Sequence, residues 1–289
     1  STDATSVLNA ALTAMYAAGG GTLVFPEGTI LIAGQIVLPS GNATATGATK
    51  QPPMIWRGQG AHASGQNEDG TGGTRLLCTY DGATYNAAKF VTQGLGNWAI
   101  EDITFYDTTA NADTPFLYTT NTTLRVNRCA FIGATSGTSC QQDAIVLGGT
   151  LKPISTGYGD ADSAFQGYGT VISDCYFNKV RRVVYGRSYC NHVQVIHNYA
   201  DKYTGTNLAS GAVIEFDGSL DPVTANVGDD CNNNLILGNY LHAIGGYAYG
   251  VKITKGIRNS IIANGFIDEG SADVAVCRFN GVTVGATDY

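Results

Sequence analysis

The segment AVIEFDG, residues 212–218, places two carboxylic acids two positions apart, Glu215 and Asp217. Extended backbone puts such a pair on one face of a strand. Glycoside hydrolysis needs two carboxyl groups flanking one bond, about 5–5.5 Å apart in a retaining enzyme and about 6.5–9.5 Å apart in an inverting one. Facing outward, Glu215 and Asp217 are a candidate acid/base pair. Facing inward, Glu215 is a buried acid, which is costly without a partner. Val213, two residues earlier, falls in an apolar column and puts Glu215 inside unless the strand bends.

A second pair, Asp160 and Asp162, lies in GGTLKPISTGYGDADSAFQGYG with Tyr158, Phe165 and Tyr168 close by. Aromatic faces stack on sugar rings and carboxylates bond hydroxyls, so Asp160 and Asp162 join Glu215 and Asp217 as catalytic candidates. The same two acids offer hard oxygen ligands for Ca²⁺, but the ninth and twelfth acids of an EF-hand loop are missing. Solvated carboxylates are the plain alternative. The expectation is no required cofactor, with calcium at Asp160 and Asp162 left open.

Arg187, Tyr189 and His192 share one short stretch and, with Tyr158 and Tyr168, are candidate substrate-binding residues. Arg187 and His192 also admit eliminative cleavage of a uronate, which needs a base and a cation on the carboxylate; Lys179 is a second source of that charge. His62, His197 and His242 stand alone and read as surface or packing residues. Trp56 and Trp98 fall in strand positions and read as core or coil-edge packing. There is no G-x-S-x-G nucleophile elbow, and no βαβ unit surrounds the glycines as a phosphate cradle requires.

The elements that must position these residues are legible in the composition. The 289 residues are 44% hydrophobic and only 13% charged, with 38 Gly and 16 Tyr. Such a chain builds a sizeable core, and its glycines, β-branched and aromatic residues favour a turn-rich β protein. A formal charge of −7 repels nucleic-acid phosphates and anionic membranes. No apolar run approaches the roughly 20 residues that span a bilayer. The seven cysteines include no CxxC, and the odd count leaves a thiol free if all pairing is within the chain. Buried free thiols are the plain reading.

Residues 4–18 form the one convincing helix, with Val7, Leu8, Ala11, Leu12 and Met15 as its apolar stripe. Asp3 or Thr5 can cap its start and Gly19 its end. Downstream, short apolar runs repeat. One column reads Phe90, Phe116, Ile145, Val183, Val213, Val251 and Val274; a second reads Ile100, Val126, Ile172, Ile196, Leu237 and Ile262. A turn column follows at Asp102, Arg128, Asp174, Asn198, Asn239 and Asn264, residue types that mostly tolerate left-handed backbone. Cys129 falls over Cys175, and Phe105, Phe131 and Phe177 share a column. A period in the twenties with two or three strands per repeat is a solenoid signature. The frame of leucine-rich repeats is absent, so the chain reads as a parallel β-helix in which like residues stack. Residues 1–20 then form a capping helix, and 21–289 the coils of one domain. In GGGTLVFPEGTILI the glycines end the helix, LVF and ILI are strands, and PEG is the corner between them.

Between the first and second columns most coils use 10 to 13 residues, but Ile145 to Ile172 takes 27 and Val213 to Leu237 takes 24. Two loops, about residues 148–168 and 217–233, therefore leave the solenoid at one corner, on either side of the Arg187 coil. Inserted loops on one face of a solenoid commonly carry binding. A groove walled by these loops is the expected site.

The string TDATSVLNAALTAMYAAGGGTLVFPEGTILI, residues 2–32, resembles the opening of the pectate-lyase-like right-handed β-helix superfamily. That opening recurs in bacteriophage tailspikes and polysaccharide-degrading enzymes. The superfamily carries a Gly-Asp-Gly before the Thr-Asp, whereas this chain opens at Ser1-Thr2-Asp3, which implies residues upstream. The resemblance implies an all-β, single-stranded right-handed parallel β-helix with an N-terminal capping helix. It further implies a homotrimer on a virion tail or in the extracellular space, partnered by other virion proteins. The substrate would be a bacterial surface polysaccharide, cleaved by glycoside hydrolysis rather than elimination. A non-catalytic receptor-binding or structural β-helix and a secreted microbial polysaccharide lyase or hydrolase are the alternatives. Function on this fold resides in grafted sites.

Overall fold

The computed structural model describes residues 2–37, 51–61, 72–82, 88–92, 95–107, 114–119, 122–136, 139–140, 142–148, 168–187, 190–203, 212–218, 231–243, 249–254, 256, 258–268, 275–279 and 282–284. It opens with a helix, Thr5–Ala17, that buries Leu8 and Leu12 against the first coils. Met15 is half-buried beside them, but Val7 points to solvent, 69% exposed, so the apolar stripe is narrower than the spacing suggested. The Asp3 carboxylate accepts from the Thr5 backbone N–H and hydroxyl and from the Ala33 N–H, tying the helix start to the first coil. At the other end Gly19 takes a left-handed φ of 86°. The Gly19 N–H donates to the Tyr16 carbonyl and the Gly20 N–H to the Met15 carbonyl, the paired bonds of a Schellman stop.

Beyond the helix the chain winds through three parallel sheets, one strand in each per coil. Sheet 1 stacks Gly21–Val24, Gln51–Arg57, Leu95–Glu101, Thr122–Asn127, Val171–Ser173, Gln194–Ile196, Leu235–Leu237 and Ser260–Ile262. Sheet 2 stacks Gly28–Ile32, Thr74–Cys78, Ile103–Asp107, Ala130–Ile132, Tyr176–Asn178, Tyr199–Tyr203, Tyr240–Ala243 and Gly265–Asp268. Sheet 3 stacks Ile36–Val37, Phe90–Thr92, Leu117–Thr119, Asp143–Leu147, Arg182–Arg187, Ala212–Asp217, Tyr249–Thr254 and Ala275–Phe279, with Val282–Val284 added antiparallel at its end. This is the parallel β-helix that the repeating columns predicted, with three strands per coil.

The core fills the lumen. Phe105, Phe131 and Phe177 stack with ring centroids 4.9 and 5.2 Å apart and planes within 9°. Trp56 and Trp98 meet edge to face at 5.3 Å, both buried. The six cysteines whose side chains are described are free and buried, Cys129 and Cys175 in adjacent coils.

Register corrects the columns in three places. In sheet 3 the paired row is Phe90, Leu117, Ile145, Val184, Ile214, Val251 and Cys277, so Phe116, Val183 and Val213 sit one residue early; Val274 lies outside the described residues. The reason is a bend at the strand entry. Ala144 and Ile145, Val183 and Val184, and Val213 and Ile214 are adjacent pairs that both enter the core, so strict alternation fails there. In sheet 1 the last three inward residues are Val195, Ile236 and Ile261, not Ile196, Leu237 and Ile262.

The left-handed residues that follow are Asp102, Arg128, Asp174, His197, Gly238 and Ala263. Asn198, Asn239 and Asn264 lie one position later and do different work. The Asn198 side chain donates to the Ile172 carbonyl and to Asn239 Oδ1, and the Asn239 side chain to the Val195 carbonyl and Asn264 Oδ1. They form a buried ladder that satisfies corner backbone groups, which burial would otherwise penalise. Asn234 and Asn259 repeat the device at the corner between sheets 3 and 1.

Candidate functional site

The bend that shifts the sheet 3 register also settles where Glu215 faces. With Val213 and Ile214 both inside, Glu215 turns outward, in a row with Tyr118, Val146, Tyr185 and Lys252. Val91, Tyr118, Val146 and Tyr185 form a second apolar cluster with Ala88, separate from the lumen core. A chain of charge runs along one side of it. Asp143 takes Arg181 at 2.8 Å and Arg182 at 2.7 Å; Arg182 reaches Glu215 at 3.0 Å; Glu215 reaches Lys252 at 2.8 Å. The Arg182 guanidinium also lies 3.5 Å over the Tyr185 ring. Burial alone would raise the Asp143 carboxyl, but Arg182 and Arg181 outweigh it and hold it well below the usual carboxylate range. Burial pushes the Tyr185 phenol up.

Glu215 is 5% exposed, and each of its oxygens accepts from a cation. To carry a proton as a general acid it would give up one of those bonds. Asp217, half-buried, follows on the same face and pairs in register with Arg187 and Thr254. A separate buried pair, Lys89 with Asp107 at 2.7 Å, braces the early coils; Lys89 also donates to the Tyr80 carbonyl and Gln142 to Asp107.

Of the other predicted residues, Tyr168 and His192 meet at the corner between sheets 3 and 1. Both long connections run from a sheet 3 strand to a sheet 1 strand: from Asp143–Leu147 to Val171–Ser173, and from Ala212–Asp217 to Leu235–Leu237. Tyr168, where the first connection re-enters, is 41% exposed. Its ring centroid is 4.7 Å from that of His192, which belongs to the coil between the two connections. His192 holds a left-handed φ of 57°, and its N–H donates to the Asn232 carbonyl at the end of the second connection. Asp160, Asp162, Tyr158 and Tyr189 lie outside the described residues. Among the described residues no group of three or more His, Cys, Asp or Glu is placed to hold a metal ion. His242, read as an isolated residue, contacts Asp201 at 3.1 Å.

Beside Tyr168 the structure opens a pocket of about 400 Å³, within the range of small-ligand sites. Four coils line it, through Pro53, Ile55, Asn97, Thr123, Arg125 and Val171 among others. The Thr123 hydroxyl donates to Asn97 Oδ1 at 2.6 Å, and the Thr123 N–H donates to the Tyr168 carbonyl at 2.7 Å. Ala99 and Val171, both small outward residues, flank Arg125 in register and leave its guanidinium exposed. The Trp98 ring turns into the lumen core, so the apolar floor is Pro53, Ile55, Ala99 and Val171. One cation, one amide and one hydroxyl over an apolar floor suit a ligand with many hydroxyls and an apolar face. Sequence reasoning missed Asn97, Thr123 and Arg125, which come from neighbouring coils; only their placement at the same corner signals them.

The architecture matches solved structures along most of the chain. PfbA, a surface adhesin of Streptococcus pneumoniae, matches over 96% of this chain and 72% of its own, with 14% identity and a TM-score of 0.53. ORF18 of Geobacillus virus E2 matches over 92% of this chain, with 14% identity and a TM-score of 0.51. The shared architecture is the parallel β-helix fold. The β-helix spans half the length of the viral protein. DFA-IIIase from Arthrobacter chlorophenolicus A6 without its lid aligns over 95% of this chain and 87% of its own, with 12% identity and a TM-score of 0.39. At such identities the likeness concerns the fold alone. No family model matches the chain, and no curated protein matches it. No helix among the described residues is long and apolar enough to cross a membrane.

Proposed function

We propose that this β-helix binds a bacterial surface polysaccharide at the corner between sheets 3 and 1, as a virion or extracellular protein of tailspike type. The observation that carries the reading is the pocket of about 400 Å³ lined by Ile55, Asn97, Thr123 and Arg125 beside the exposed Tyr168–His192 pair. Its volume accommodates one or two sugar units, its floor takes an apolar sugar face, and Arg125 pairs with a carboxylate or a run of hydroxyls. A viral protein and a surface adhesin among the structural matches agree with a surface-exposed role.

The test is retention of purified capsular and O-antigen polysaccharides on immobilised protein. At least one is expected to be retained, and Arg125→Ala or Asn97→Ala to weaken retention about tenfold, a loss of about 1.4 kcal/mol. A panel that passes unretained overturns the reading.

Cleavage is a second reading, favoured by the outward placement of Asp217 at the foot of the second long connection. With Glu215 committed to Arg182 and Lys252, hydrolysis would use Asp217 together with Asp160 or Asp162. It predicts that the retained polysaccharide shortens on incubation and that Asp217→Asn abolishes shortening without loss of retention. An unchanged chain length leaves a non-catalytic binding protein.

A further inference from the structure

Sheet 2 carries an aromatic row on its outer face that the corner site does not use. Tyr176, Tyr199 and Tyr240 occupy one register position in three successive coils. Their rings stack with centroids 5.7 and 5.0 Å apart and planes within 10°. Tyr176 is buried, but Tyr199 is 43% and Tyr240 37% exposed. The next residue in the row is Gly265, itself exposed. A Cβ there would lie 3.3 Å from the Tyr240 ring. The residue that pairs with Tyr240 in the following coil therefore carries no side chain to continue the stack. Two residues on along the same strands lie Asn178, Asp201 and His242, the first two paired in register and His242 beyond a register shift. The Asp201 carboxylate lies 3.1 Å from His242 Nδ1, and Asn178 Nδ2 donates to the Tyr176 hydroxyl at 3.0 Å.

We propose that Tyr199, Tyr240, Asp201 and His242 form a second saccharide-binding platform, on which one sugar ring packs against Tyr240 above Gly265. An aromatic face continued by backbone alone accepts the C–H face of a pyranose. His242 holds the Asp201 carboxylate through Nδ1 and its Nε2 is buried, so the groups that meet equatorial hydroxyls are the Asp201 carboxylate and the Tyr hydroxyls, which run along the solenoid axis at one per coil. Side-chain burial does not explain the two exposed tyrosines. An adjoining row of hydrogen-bonding groups distinguishes this face from a dry protein contact, whose buried centre is depleted of charge. Partial burial, then the charge of Asp201 and the neighbouring Tyr240, push the Tyr199 phenol up, so its hydroxyl remains a donor. This platform lies on a different sheet from the corner pocket, so one long glycan held at both gains by effective concentration.

The proposal rests on the polysaccharide reading of the corner site, and the experiment separates the two. The probe is the same panel of purified capsular and O-antigen polysaccharides, measured by retention and by sedimentation velocity. Tyr240→Ala removes the ring; Gly265→Leu leaves it and fills the space in front of it. Both are expected to stay folded, with a loss of stability no larger than that of one ring pair, and to weaken retention about tenfold, a loss of about 1.4 kcal/mol. Tyr199→Phe, which keeps the ring and loses the hydroxyl, is expected to weaken it by less. If the Tyr240 and Gly265 variants retain polysaccharide like the parent while Arg125→Ala does not, the platform is overturned and the corner reading stands. If they change only the sedimentation coefficient, the face is a contact between copies and the platform is again overturned. If the parent retains nothing, the corner reading falls and takes the platform with it.

Discussion

Two aromatic stacks run through neighbouring positions of sheet 2, one on each side of it. Inside, Phe105, Phe131 and Phe177 lie 4.9 and 5.2 Å apart; outside, Tyr176, Tyr199 and Tyr240 lie 5.7 and 5.0 Å apart. Ring spacing and near-parallel planes are alike because both follow from parallel strands in register. Burial is not alike: the Phe rings are sealed in the lumen, while two of the Tyr rings meet water. A solenoid therefore imposes ladders on both faces, and stacking by itself says nothing about function. What separates scaffold from site is whether the stacked group gains anything from being buried.

The sharpest challenge to this contrast is Phe131→Ala, expected to cost about 3–5 kcal/mol, because it opens a lumen cavity between two rings that cannot close on it. Denaturant unfolding measures it. Arg182→Ala tests the charged outer row of sheet 3 in the same assay. It strips one cation from each of two buried carboxylates, Asp143 and Glu215, with an expected loss of about 3–5 kcal/mol. Asn239→Ala should cost less, about 1–3 kcal/mol, by leaving the Val195 carbonyl and the Asn198 amide unsatisfied. Tyr199→Ala should cost least, about 0.5–1.5 kcal/mol for lost ring pairs. If Tyr199→Ala proves as damaging as Phe131→Ala, the outer stack is scaffold and the contrast collapses.

Acid sharpens the view of the Asp143 network. A carboxyl held below its unfolded value near 3.9 adds stability that is whole above about pH 4 and is lost as pH falls through its folded value. Thermal melts between pH 7 and 3 should therefore show an acid limb that Asp143→Asn flattens, with a lower plateau at neutral pH. An identical pH profile in the variant would remove Asp143 from the acid response.

Much of the architecture was open to reading in the chain, because stacked coils repeat their residue types at a fixed period. The helix with its glycine stop, the Phe105–Phe131–Phe177 column and the corner from which two long connections depart all follow from spacing. The Tyr row was present too: Tyr176, Tyr199 and Tyr240 each follow a ladder residue, Cys175, Asn198 or Asn239, by one position. Its signal was masked by the apolar column beside it. Register was less legible. Val183-Val184 and Val213-Ile214 offer two apolar residues where alternation allows one, and either could face the lumen.

Sequence thus determined the winding, because periodic apolar residues have one economical way to stack. Only the tertiary structure decided the direction of Glu215, the union of Asn97, Thr123 and Arg125 around one pocket, and the exposure of Tyr199 and Tyr240. Each of these depends on a bend at a strand entry or on contacts between residues about 23 to 46 positions apart. Nothing local in the chain encodes such contacts; they exist once one coil lies on another.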